Sequence, residues 1–255
     1  FAGCSSMEEL TLSSNISLIR YKAFEKCTSL TEVVIPGNVK TVEEYAFAGC
    51  DHLKTVDVQK GVEVLGQGVF TNCIRLETVT LNEGLTKLGL NYATDNAGVF
   101  EGCTMLQSIS IPSSVIFLGQ DSFMNCTALN EAYFYGAVPT TWGETVFKNN
   151  SDDFILYYIA GTDEKWTSPL WTAKDNNVYR TATFEPKIVY GDIDGDGEYN
   201  FSDAELFAAY FAGHDVTIQE STADLDKDNK ITRRDAMILA RYLYGWKGYT
   251  LPYSD

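Results

Sequence analysis

Apolar residues recur along the first half of the chain in one fixed phase. Phe1, Phe24, Phe47, Phe70, Phe100 and Phe123 are each followed three positions later by a cysteine, and the step between them is 23 residues four times and 30 once. Three residues after each cysteine stands Met7, Leu30, Leu53, Leu76, Leu106 or Leu129, and further on come Leu10, Val33, Val56, Val79, Ile109 and Ala132. Two beyond these lie Leu12, Ile35, Val58, Leu81, Ile111 and Phe134. Alternation over the last two sets has the period of a short strand with one face inward, so each repeat predicts a strand. One such unit cannot bury its apolar face alone. Successive coils must stack, and the pattern predicts a β-rich solenoid. Its outward strand positions, Thr11, Val34, Asp57, Thr80, Ser110 and Tyr133, form a mixed stripe without a row of aromatics.

The pattern F-x-x-C-x-x-L-x-x-V-x-I-P, clear in Phe24 to Pro36 and in Phe100 to Pro112, resembles the BspA-like subclass of leucine-rich repeats and covers about residues 1–138. The resemblance implies a bacterial surface or secreted protein that binds other proteins or host matrix, and it leaves the ligand open. Cys4, Cys27, Cys50, Cys73, Cys103 and Cys126 share one phase and should form an inward ladder. Buried free thiols acting as small apolar residues are the expectation, although stacked coils about 4.8 Å apart leave neighbouring cysteines within bridging range. The single long step adds seven residues around Gly89 to Gly98, read equally as a tolerated surface loop or as part of a binding face.

From residue 139 to 186 the repeat fades into Trp142, Phe147, the run Phe154 to Ile159, Trp166, Trp171 and Tyr179. The end coil of a solenoid needs a cover, so this aromatic stretch is expected to be a β-rich cap packed as core, with carbohydrate binding as the other use of such a cluster.

Beyond it the chemistry changes. Asp192, Asp194, Asp196, Glu198, Asn200 and Asp203 occupy positions 1, 3, 5, 7, 9 and 12 of a twelve-residue loop with Gly197 at position 6. Hard Ca²⁺ takes six to eight oxygens, position 7 supplies a backbone carbonyl, and the residue at position 6 makes the tight turn. A second copy follows 32 residues later with Asp224, Asp226, Asp228, Lys230, Thr232 and Asp235, and with Asn229 at the turn. Asparagine enters the left-handed region more easily than most residues, so both loops are expected to bind calcium. Each is followed by an apolar helical stretch, yet Glu185 to Tyr190 contains a proline and β-branched residues and reads as extended.

Loop then helix, duplicated without entering helices, resembles the dockerin module of cellulosomes over residues 187–255. The resemblance implies a small all-α fold with two calcium ions, calcium-dependent folding and binding to a cohesin domain of a scaffoldin. It also implies an extracellular protein, secreted and attached to a cell-surface cellulosome. In dockerins, loop positions 10 and 11 commonly contact cohesin; here they are Phe201 and Ser202 in the first half and Arg233 and Arg234 in the second. Phe211, Arg241 and Tyr244 would extend that face, although some helix residues must be core instead. The unlike pairs predict a single binding orientation. Apolar residues at both ends of the module, Ile188 to Tyr190 and Trp246 to Tyr253, predict a clasp.

A net charge of −16 argues against nucleic acid, and no apolar run is long enough for membrane insertion. No nucleophile and histidine, and no pair of carboxylates, is placed by a recognisable motif before residue 187, so no catalytic residue is expected. The start at Phe1 falls inside a repeat and is read as that of a fragment; an accessory piece of a larger dockerin-bearing hydrolase is the alternative reading.

Overall fold

In a computed structural model, the structure describes residues 1–89, 97–174, 176–186, 189–195 and 197–252, and the chain divides into two compact units, Phe1–Glu185 and Pro186–Asp255. In the first unit each coil contributes a short and a longer strand. The short ones are β1 (Leu18–Ile19), β3 (Thr41–Val42), β5 (Val64–Leu65), β7 (Lys87–Leu88), β9 (Phe117–Leu118) and β11 (Thr141–Trp142), paired in parallel in that order. The longer ones are β2 (Glu32–Ile35), β4 (Thr55–Val58), β6 (Thr78–Leu81), β8 (Ser108–Ile111), β10 (Glu131–Phe134) and β12 (Ile155–Ile159). They form the parallel sets β2-β4-β6 and β8-β10-β12, and the break falls at the long repeat step. The inserted residues 90–96 lie outside the described residues. In β2, β6 and β8 exposed and buried residues alternate, as the sequence pattern requires.

Two side-chain ladders run along the axis. The phenylalanines stack ring on ring, with centroids 5.1 Å apart for Phe24 and Phe47 and 5.4 Å for Phe70 and Phe100, spacings close to that of parallel strands. Beside them, Cys27, Cys50, Cys73, Cys103 and Cys126 are buried and Cys4 is half-buried, all as free thiols. Each buried thiol donates to the carbonyl of the phenylalanine one coil earlier, as Cys50 Sγ does to Phe24 O at 3.3 Å and Cys126 Sγ to Phe100 O at 3.1 Å. The cysteine is therefore more than a small apolar filler: it gives a second donor to a buried carbonyl that already accepts from its own turn.

The coil course continues past residue 138, further than the motif is legible. Phe147 stacks on Phe123 at 5.2 Å, β11 pairs with β9, and β12 pairs in parallel with β10. This turn is hidden in the sequence because its phenylalanine comes 24 residues after the last and Asn150 stands where a cysteine would. Neither amide atom of Asn150 has a hydrogen-bond partner although both are buried. The array then ends in β13 (Leu170–Thr172) and β14 (Val178–Phe184): β14 continues the parallel sheet beside β12, and β13 turns back antiparallel to it. Trp142, Phe147, Phe154, Trp166, Trp171 and Tyr179 are all buried there, so the aromatic stretch is core. Beyond Tyr133 the outward stripe continues into aromatic residues outside the six outward positions of the repeats. Tyr133 stacks at 4.8 Å on Tyr157, its register partner on β12, and β14 brings Phe184, which lies outside that register, edge-on at 5.2 Å.

The second unit holds α1 (Phe201–Phe211), α2 (Glu220–Ala223) and α3 (Arg233–Leu243). Ile193, Phe207, Ile218, Ala223, Leu225, Leu239 and Leu251 form its core. The duplication is visible there, since Ile193 and Leu225 hold the same loop position and Phe207 and Leu239 the same helical one. No helix precedes the first loop among the described residues, as expected. Before the second loop, however, stands α2, a single turn that the sequence pattern did not announce.

Candidate metal centres and docking face

Each loop is tied to its helix by the carboxylate at position 12. Asp203 is fully buried; its Oδ1 accepts from the backbone amides of Ile193 at 2.6 Å and Asp194 at 3.1 Å, and its Oδ2 from that of Asn200 at 2.7 Å. Asp235 repeats this with Leu225 at 2.8 Å, Asp226 at 3.2 Å and Thr232 at 2.8 Å. Both aspartates are the third residue of a capping box, with Asn200 and Thr232 as N-caps whose side chains accept from the amides of Ser202 and Arg234. Helix start and loop closure thus share one carboxylate. The spacings Asn200-x-x-Asp203 and Thr232-x-x-Asp235 carried this signal in the sequence, beneath the calcium pattern.

The carboxylates meet as their loop positions require. Ligand oxygens of Asp192, Asp194 and Asp203 lie within 4.8 Å of one another, and so do those of Asp224, Asp226 and Asp235. An all-oxygen, carboxylate-rich set of this kind fits a hard cation. Asp196 lies outside the described residues. Asp228 is exposed, with Oδ1 accepting from Lys230 N at 2.9 Å, and Glu198 and Lys230, at the position that supplies a backbone carbonyl, are exposed. The turns are matched: Gly197 has φ 93° and Asn229 φ 64°, so asparagine does take the left-handed conformation at this point.

Position 11 sets the second loop apart. Arg234 Nε lies 3.0 Å from Asp226 Oδ2, whereas the first loop has Ser202 at the corresponding position.

The helices α1 and α3 run antiparallel, so that each start faces the other's end. Phe201 and Tyr244 meet edge to face at 5.1 Å, with Tyr244 71% exposed. At the opposite end Arg233 Nη2 donates to Phe211 O at 3.1 Å, beside a shallow groove lined by Ala208, Phe211, Ala212, Arg233 and Ala236. Ser202, Arg233 and Arg234 are exposed, while Phe211 is half-buried against Phe207 and Tyr210. The Arg241 guanidinium lies 5.3 Å from the Trp246 ring centroid and 5.0 Å from that of Tyr249, and it donates to the Tyr249 hydroxyl. Aromatic faces attract a guanidinium by their quadrupole, and the chain returns within five residues to bring Trp246 beside it.

The two ends of the unit meet at Gly191 and Leu251. Leu251 is 3% exposed, and a Cβ on Gly191 would stand 3.2 Å from Leu251 Cδ1 and 2.9 Å from Leu239 Cδ1. Trp246 stays 58% exposed, and Ile188 and Tyr253 lie outside the described residues.

Comparison with known proteins agrees with both halves of this architecture. The profile of the BspA type Leucine rich repeat region matches in six copies over residues 1–95 and 91–153. The chain belongs to this BspA-type leucine-rich-repeat family. Its C-terminal part matches the Dockerin type I domain over residues 190–244. No curated protein matches the chain. Among solved structures, a leucine-rich repeat protein from Bacteroides ovatus is 25% identical over 56% of this chain and 35% of its own, with a TM-score of 0.47. The T. pallidum Leucine Rich Repeat protein is 23% identical over 55% of this chain and 62% of its own, again with a TM-score of 0.47. The chain thus spans between about a third and three fifths of the length of these relatives. The dockerin implies a cohesin partner in a cellulosome context, and dockerins of type I typically bind calcium; the repeats imply protein binding. Both modules are typical of secreted or cell-surface bacterial proteins, and no helix among the described residues is long and apolar enough to cross a membrane.

Proposed function

We propose that this chain is a non-catalytic adaptor of a cell-surface cellulosome, in which residues 187–255 dock on a scaffoldin cohesin while the repeat domain presents a protein- or surface-binding face. The functional division is a solenoid over 1–138, extended by a cap over 139–186, and then the dockerin. Two calcium ions hold the dockerin loops, one through Asp192, Asp194, Asp196, the Glu198 carbonyl, Asn200 and Asp203. The other uses Asp224, Asp226, Asp228, the Lys230 carbonyl, Thr232 and Asp235. Ion binding neutralises carboxylates that otherwise repel one another, so calcium and the docking-competent fold are linked.

The observation that carries the docking mode is the unlikeness of the two ends of the helix pair. One end offers Phe201 and Tyr244 in contact, and the other offers Arg233 over the carbonyl of Phe211. Half-turn rotation of the dockerin would put a guanidinium where an aromatic pair had been, and an unpaired buried guanidinium costs several kcal/mol. Docking therefore uses one orientation.

The test is calorimetry of the full chain against a panel of type I cohesins, with calcium and with EDTA, alongside thermal unfolding. Binding to at least one cohesin, lost in EDTA together with one of two unfolding transitions, is expected. Affinity and unfolding that ignore EDTA would overturn the calcium reading, and turnover of polysaccharide by the chain itself would overturn the non-catalytic one.

A further inference from the structure

The two calcium loops carry very different charge. Between Asp192 and Asp203 the first holds five carboxylates and no lysine or arginine. Between Asp224 and Asp235 the second holds four aspartates, but also Lys227, Lys230, Arg233 and Arg234. These cations are placed differently. Lys227 Nζ sits 5.0 Å from the Tyr190 ring centroid and Arg233 reaches the Phe211 carbonyl, whereas Arg234 is seated on a ligand carboxylate. The Asp226 side chain is only 13% exposed, so its attraction to Arg234 is less screened than that of a surface pair, while the arginine itself remains 71% exposed.

We propose that Arg234 is a tethered competitor for calcium at the second loop, so that the two sites fill in order and filling the second frees Arg234 for the cohesin. The proposal rests on the calcium reading above. A position-3 carboxylate cannot serve a dication and hold a guanidinium in close contact without cost, because the two cations repel at short range. Calcium affinity in such loops follows ligand charge and rigidity, and the first loop is favoured in charge and has glycine at its tight turn. When calcium takes Asp226, the guanidinium loses its partner and is left beside Arg233, on the exposed start of α3. Calcium would then control two things in succession. The first ion orders the first half, and the second ion uncovers a paired cationic contact suited to an acidic patch on the partner.

The experiment is a calcium titration of the calcium-stripped full chain, followed by calorimetry and by backbone amide resonances. Amides of Gly195 and Gly197 should reach saturation before those of Asn229 and Thr232, with the two classes separated by about tenfold or more in Kd. Arg234→Ser, which copies Ser202, should tighten the second class by roughly threefold to tenfold and leave the first unchanged. Arg234→Lys, which keeps the charge but not the Nε contact, should fall between. Simultaneous filling of both loops, or an unchanged second site in Arg234→Ser, would overturn the competitor role. Absence of calcium uptake at either loop would instead overturn the calcium reading itself and remove this proposal with it.

Discussion

Phe201 and Tyr244 touch edge to face at 5.1 Å, joining the first turn of one dockerin helix to the residue that ends the other. The 32-residue duplication gives Tyr244 the counterpart Ala212, and Phe201 the counterpart Arg233, so the second end of the helix pair cannot form the same contact. An internal repeat has thus kept its loop aspartates and core while its surface diverged.

That divergence predicts unequal mutants. Phe201→Ala with Ser202→Ala, and separately Arg233→Ala with Arg234→Ala, should differ strongly in cohesin affinity measured by calorimetry. One pair should lose about 30-fold or more, the scale of an interface hot spot, and the other only a few-fold. Equal and small losses from both would show that either half can dock.

Leu251 is expected to hold the dockerin closed. Leu251→Ala should lower the stability of that unit by about 2 kcal/mol or more, since a buried leucine leaves a cavity that the neighbours fill only partly. Gly191→Ala should also destabilise it, because Gly191 has φ 94° and its missing Cβ is the space that Leu251 and Leu239 approach. Thermal scans in calcium read this directly; an unshifted dockerin transition in both variants would show that the ends do not contribute.

The thiol ladder predicts a pH limit for the solenoid. Burial pushes the Cys50 and Cys126 thiols up from 9.0 to about 12, and Cys73 and Cys103 higher than their ordinary range for the same reason. The folded state therefore favours the protonated thiol. Its stabilisation is fully present below pH 9 and is lost as pH rises through about 12. Since the thiolate is the nucleophile, a disulfide reagent at pH 8 should label Cys4 rapidly and the five buried thiols only after denaturation. Fast labelling of all six in the native chain would contradict a closed ladder.

Asn150 marks the flaw in that ladder. It stands at the cysteine position of the last coil with both amide atoms buried and unbonded, a loss of about 1 to 3 kcal/mol for such a group. Asn150→Cys should restore a donor toward the Phe123 carbonyl and raise the midpoint of the solenoid transition, whereas Asn150→Asp should lower it. A midpoint reduced by the cysteine would mean that the amide has a role the ladder does not explain.

Residues that repeat were legible in the sequence, because a solenoid applies one physical requirement to every coil. Phenylalanine, cysteine and the strand positions return at a fixed step, and the calcium positions are spaced by the reach of oxygen ligands around one ion. Contacts between residues without a shared phase needed the fold. Phe147 joined the ladder despite its altered step, and Phe184 reached Tyr133 only through the return of β14. Arg241 meets Trp246 and Tyr249, which fold back over its guanidinium, and Leu251 packs where Gly191 has no Cβ to exclude it. Local spacing decides which atoms one ion or one coil can gather; the pairing of Arg234 with Asp226 and of Phe201 with Tyr244 is decided by where a helix start lands in space, and that depends on the packed core.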